Sequence, residues 1–288
     1  LNNFGKGFAL GENMKTKVVL FALVIMMTGG SSWAQSSKPV KVNIKNLPEL
    51  GLRSQSNKAF KPGEKLVYRL HYGIIDAATA TISVDPQVTK VGNREVYHVI
   101  GEGKTVSTFD YFFKVRDKYE SYIDKQGMFP HKFVRNVDEG GYKIQQEYTF
   151  FPSKRAYKNQ KGEGYLTPEY VQDMISAFYF ARNMDFSKAK KGDIFKITCV
   201  VDDEIFPLKI KYIGKDKVST DAGTFNALKF APVIQKGRIF KKEEDLSVWI
   251  SDDANKIPLM ASAKIMVGSV KMELQSYSGL ANTPARIN

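Results

Sequence analysis

The chain has 288 residues, 43 Lys and Arg against 30 Asp and Glu, a formal charge of +13 and one cysteine. A single cysteine excludes an intramolecular disulfide framework. With three scattered histidines (His71, His98, His131) the sequence holds no metal-ligand cluster of ordinary spacing, so neither a metal nor a cofactor is expected.

Residues 14–34 read as a secretory signal. Met14-Lys15-Thr16-Lys17 is a short basic start, Val18 to Met27 is an apolar run, and small residues lead to a cleavage point between Ala34 and Gln35. Residues 1–13 precede the start methionine and are read as an upstream start artefact. The uncharged stretch 18–34 falls short of the ~20 apolar residues of a bilayer span, and Gly29-Gly30 breaks it, so cleavage is favoured over anchoring and no membrane span is expected to remain. No cysteine lies at the cleavage point, which argues against a lipid-anchored lipoprotein. Removing Lys6, Lys15, Lys17 and Glu12 leaves 40 basic and 29 acidic residues, a charge of +11. Such a charge attracts anionic lipid headgroups or nucleic acid, and export argues against nucleic acid. The plainer reading is a solvated face, as in Leu208-Lys209-Ile210-Lys211-Tyr212, where lysines alternate with apolar residues. The expected location is the periplasm of a Gram-negative bacterium.

Residues 35–60, rich in Ser, Lys, Asn and Pro, form a flexible N-terminal arm in this reading. A first β unit follows over 61–166, with strands near 64–72, 76–85, 94–104, 117–124, 130–138 and 142–151 and a hairpin turn at Asp138-Glu139-Gly140-Gly141. A helix is predicted over 168–183 within a connecting segment 167–184. Thr167 would cap it, Pro168 would start it, and Val171, Met174, Ile175 and Phe178 would make one apolar stripe. A second β unit over 185–281 has strands near 193–201, 205–213, 217–221, 225–232, 245–251, 257–266 and 269–278. Cys199 falls inside an apolar strand pattern and reads as packing.

The two β units share a register. Asp124-x5-Pro130-x9-Gly140-x2-Lys143 recurs as Asp252-x5-Pro258-x9-Gly268-x2-Lys271 with identical spacing. The expected fold is therefore mainly β: two similar curved antiparallel sheets from an internal duplication, half-barrel or clam-like, with one connecting helix.

The segment Val171-Gln172-Asp173-Met174-Ile175-Ser176-Ala177-Phe178-Tyr179-Phe180-Ala181-Arg182 resembles the central signature of the DUF3108 family. The resemblance continues through Glu139-Gly140-Gly141-Tyr142, Ala222-Gly223-Thr224-Phe225-Asn226-Ala227-Leu228, Val248-Trp249-Ile250-Ser251-Asp252-Asp253 and Ile257-Pro258, and covers about residues 60–280. It implies an exported, β-rich fold and brings no catalytic residue.

Two sets of residues stand out. Phe112, Tyr122, Tyr179 and Arg182 are candidates for binding an amphiphilic envelope ligand or an anionic lipid headgroup: the aromatics among Phe109, Tyr111, Phe112, Phe113, Tyr119 and Tyr122 would line a groove, and a guanidinium suits an oxyanion. Core filling is the plainer role for these aromatics, as helix tethering is for Tyr179 and Arg182. Asp173, Ser176, Trp249, Asp252 and Pro258 are candidates for a structural motif. Asp202-Asp203 and Asp252-Asp253 read as turns before they read as an acid–base or calcium pair. The function expected is a non-catalytic periplasmic protein that binds or carries an amphiphile between sheets. An envelope assembly or scaffold protein is the first alternative and a glycan-active enzyme the second.

Overall fold

A computed structural model describes residues 40–111, 113–165, 169–233, 246–264 and 269–287. The signal-like segment, Phe112, Thr167, Pro168 and Gly268 lie outside the described residues.

Alternating apolar and polar residues produce strand after strand. In chain order these are β1 (Val40–Lys41), β2 (Lys65–Tyr72), β3 (Ile75–Val84), β4 (Thr89–Val91), β5 (Arg94–Thr105), β6 (Arg116–Asp124), β7 (Pro130–Glu139), β8 (Tyr142–Phe151), β9 (Ala156–Asn159) and β10 (Gly162–Tyr165). After the helix come β11 (Ile194–Val201), β12 (Glu204–Thr220), β13 (Gly223–Pro232), β14 (Leu246–Ser251), β15 (Pro258–Lys264), β16 (Ser269–Ser278) and β17 (Arg286–Ile287). Two helices are described: α1 (Ser107–Asp110) and α2 (Met174–Arg182).

All named strands belong to one antiparallel sheet, where the sequence pointed to two. Strand pairs run β1–β10–β9–β8–β7–β6–β5–β3–β2, and then β2 pairs with β16 and the order continues through β15, β14 and β13 to β12 and β11. The β2–β16 pairing, from Lys65↔Ser278 to Tyr72↔Val270, merges the halves. Held apart, both strands would present bare edges, which a sheet avoids by pairing. β11 and β1 are left at the two ends, and the sheet is not closed.

Two turns have similar backbone. Met128 and Lys256 both take left-handed backbone (φ 52° and 46°), each two residues before the proline that opens the next strand, Pro130 and Pro258. The first turn is closed by Asp124 N–H to the Phe129 carbonyl (2.8 Å) and Met128 N–H to the Asp124 carbonyl (2.9 Å), the second by Ser251 N–H to the Ile257 carbonyl (2.8 Å).

The helix starts later than the apolar stripe indicated. Residues 169–170 form a turn with Tyr170 left-handed (φ 56°), and Gln172 forms a parallel bridge with Cys199, so α2 begins only after Asp173. Its nine residues span about 14 Å. Met174, Ile175, Ala177 and Tyr179 are buried in the main core, with Leu66, Tyr68, Ile82, Tyr119, Phe133, Tyr148 and Leu274 of the surrounding strands. A smaller core of Phe186, Tyr212, Leu228 and Phe230 packs beside it. Over residues 42–60 the chain has one 3-10 turn, Ile44–Asn46, and no strand, and it is tied down. Arg53 donates to the carbonyls of Gly127 and Met128 (2.7 Å each) and lies 4.5 Å from the Tyr170 ring centre, and Phe60 is buried.

Candidate functional site

Three polar groups interrupt the apolar interior. The first holds the end of α2. Arg182 makes a bidentate pair with Glu64 (2.6 and 2.7 Å) and donates to the carbonyls of Asn255 (2.9 Å) and Ala59 (3.1 Å), while the Tyr179 hydroxyl donates to Glu64 (3.4 Å). Glu64 has no solvent exposure and Arg182 only 2%. Burial alone would lower the Arg182 pKa, but Glu64 outweighs it and the pKa is raised. Both proposed headgroup ligands, Tyr179 and Arg182, are therefore committed to an internal carboxylate and tether the helix to the start of β2.

The second group starts the helix. Asp173 accepts from the N–H groups of Ile175 and Ser176 (2.8 Å each), the Ser176 hydroxyl accepts from Asp173 N–H (2.9 Å), and Ser121 of β6 donates to the other Asp173 oxygen (2.7 Å). This is a capping box, here buried. Burial raises the Asp173 carboxyl to about 6 despite those donors. Cys199 is fully buried, which pushes its thiol up and away from reactivity.

The third group lies where the β11–β12 turn meets the inner faces of β7 to β9. Asp202 and Asp203 both have left-handed backbone (φ 51° and 62°), forming a two-residue hairpin turn. Arg135 donates to Asp202 (2.5 Å), and Tyr148 (2.6 Å), Asn159 (2.5 Å) and Lys161 (2.9 Å) converge on Asp203. Beside Arg135, Asp117 and Glu139 form a carboxyl pair. Asp117 Oδ2 is a buried acceptor without a donor, and each carboxyl raises the other's pKa or is raised by its negative neighbours. Burial is the main cause that raises Asp117 to about 6 and Glu139 to about 7.

Other candidates are dispersed. Tyr122 lies three residues from buried Tyr119 on one strand, so the two face opposite sides of the sheet; Tyr122 stacks on His98 outside (4.4 Å, 9°) and lines no groove with Tyr119. Tyr111 is 90% exposed. Trp249 donates to Asp216 (2.8 Å) and carries Lys229 over its ring (4.7 Å). Asp252 pairs with Lys215 (2.8 Å), Asp253 accepts from the N–H groups of Asn255, Lys256 and Ala285, and the Pro258 carbonyl accepts from Tyr68 (3.2 Å). Both aspartate pairs thus do turn chemistry. The interior is occupied by rings in contact, Tyr148 with Phe150 (6.0 Å) and Tyr157 (5.3 Å) among them. A depression between Phe129, Phe150, Tyr170 and Val171 encloses about 10 Å³, at the limit of a single water.

The sheet end at β11 is different. The tight turn makes Val201↔Glu204 the closing pair, so Phe195, Ile197 and Cys199 point their backbone groups at β12, while Ile194, Lys196, Thr198 and Val200 point theirs away. On that outer side Gln172 satisfies only the far end, donating to the Thr198 carbonyl and accepting from Val200 N–H (2.9 Å each). Among the described residues nothing pairs with the backbone of Ile194 and Lys196. Both residues are exposed, Ile194 by 55%. Directly across the ladder, Lys196 faces Lys209 and Ile194 faces Lys211. Sequence reasoning found Lys209 and Lys211 as a solvated face but gave no sign that β11 is an edge, because the sheet order decides that.

A family model described as "protein of unknown function (DUF3108)" matches residues 67–275. The chain belongs to the DUF3108 family. Among curated proteins none matches it. It is similar to a β-barrel-like DUF1849 protein from Brucella abortus, at 13% identity and a TM-score of 0.49, covering 76% of this chain and 99% of that one. A protein from Parabacteroides distasonis aligns at 12% identity and a TM-score of 0.36, over 79% of this chain and all of that one. One from Chlamydia trachomatis aligns at 10% and 0.35, over 79% and 92%. Within this DUF3108 member, no described helix is long and apolar enough to cross a membrane.

Proposed function

We propose that this protein is an exported, non-catalytic binding protein of the Gram-negative periplasm that acts in envelope assembly by adding a partner strand to its sheet. The observation that carries the reading is the edge of β11 at Ile194–Lys196, whose outward donors and acceptors have no partner among the described residues, on a strand that is otherwise well packed. The signal-like segment 14–34 supports export, and the matching turns at Met128 and Lys256 support a duplicated β unit. A carrier would need an open apolar groove of several hundred Å³. The described interior is instead occupied by α2 and by rings in contact.

The test is a photo-crosslinking residue placed at 196 in the native host, with Glu102, exposed on β5, as the control position. Discrete adducts with an envelope protein at 196 and none at 102 are expected. Equal labelling at both positions, or none at 196, contradicts the reading, as does recovery of the protein in the cytoplasmic fraction.

A further inference from the structure

We infer that the segment taken by the β11 edge is a short extended one that alternates acidic and apolar residues. The inference rests on the strand-addition reading and supplies the partner's chemistry. Length comes first. The open edge runs from Ile194 to Lys196 and stops at Thr198, whose carbonyl Gln172 takes, so it accommodates about three residues, roughly 10 Å of strand.

Charge comes second. Lys196 and Lys209 are directly opposed on neighbouring strands, and no carboxylate is paired with either among the described residues. Like charges opposed in this way destabilise a sheet. An incoming strand would put every second side chain on that same face, beside Lys196. A carboxylate there relieves the repulsion, and a cation aggravates it. The loop into β11 sets Lys188, Lys190 and Lys191 against Asp185 and Asp193, which leaves the approach slightly basic.

The opposite face gives the alternation. Phe195 and Ile197 point to the other side of β11, Ile197 buried and Phe195 half-buried against Phe186 (4.8 Å, edge to face). The intervening side chains of an added strand would extend this apolar surface. A second copy of β11 fits poorly, because two-fold pairing would bring lysine against lysine.

The experiment uses the full-length mature protein and three soluble seven-residue peptides, alternating Val with Glu, with Thr or with Lys, read by fluorescence anisotropy at low and high salt. The Val/Glu peptide is expected to bind most tightly and to weaken several-fold as salt rises. Lys196→Pro removes the outward N–H while leaving the β12 ladder intact, a position where an edge strand tolerates proline, and is expected to weaken binding about tenfold. Lys196→Glu with Lys209→Glu keeps the edge donors and is expected to move the preference to the Val/Lys peptide. Equal, proline-sensitive binding of all three peptides overturns the acidic partner and leaves strand addition standing. Binding of none, or binding indifferent to Lys196→Pro in a protein with unchanged thermal unfolding, overturns both. Concentration-dependent dimerisation abolished by Lys196→Pro would identify a second copy as the occupant and overturn the acidic partner.

Discussion

Arg182 and Glu64 place opposite charges in the middle of an apolar interior, 118 residues apart in sequence. Their attraction and the four hydrogen bonds made by the guanidinium offset the cost of removing both from water. Removing one partner strands the other. Arg182→Met is therefore expected to destabilise by about 3–5 kcal/mol. Adding Glu64→Gln to that variant is expected to recover part of the loss, as urea unfolding of the two variants will show. The motif residues 171–182 marked Arg182 and Asp173 as notable from the sequence alone, and their tethering roles follow from their positions on a short helix. Glu64 was visible only as a residue near the start of order, since nothing local specifies a pairing over that distance. Tyr122 shows the reverse case. Its separation of three from Tyr119 on a strand already excluded a shared groove, and the period-two rule was there to be applied.

At the scale of elements, strand positions were legible because turn residues punctuate apolar alternation, and most observed strands fall within a few residues of their expected places. β12 was expected in two pieces; the structure joins them across a bulge between Tyr212 and Gly214. β4, β9 and β10 are too short to show a period. The β11–β12 hairpin gives a pH-dependent prediction, because its tip is held by Arg135 beside the Asp117–Glu139 pair, with Asp138 and Tyr119 also facing that pair. Asp117 rises from 3.8 to about 6 and Glu139 from 4.5 to about 7 on folding. Between about pH 4 and pH 7 the folded chain thus keeps protons the unfolded chain has released, so these groups make stability fall as pH rises through that window. Asp173 acts in the same direction. Asp124 acts oppositely: burial would raise it, but His131 and Arg94 outweigh burial and hold its carboxyl well below the usual range, so its contribution is lost only in stronger acid. Glu139→Gln, which keeps a donor for Asp117, is expected to flatten the slope by on the order of 1–2 kcal/mol between pH 5 and pH 8. Thermal unfolding across that range measures it, and an unchanged slope contradicts raised pKa values for this pair.

For the whole molecule, the repeat in the sequence pointed to two sheets, and the structure joins them through β2 and β16. That junction was not legible, because a strand's sequence records which face is apolar but not which neighbour completes its ladder. The same indeterminacy hid the edge. Once the order is fixed, β11 stands at one end of the sheet with Lys196 outward, and the account of function depends on that position. Amide hydrogen exchange by NMR on the isolated protein tests it most directly. The N–H groups of Phe195 and Ile197, bonded to β12, are expected to be protected, while those of Ile194 and Lys196 exchange freely and gain protection when the Val/Glu peptide is added. Protection at Lys196 equal to that at Ile197 in the protein alone would mean that the edge is already occupied, and would contradict strand addition at β11.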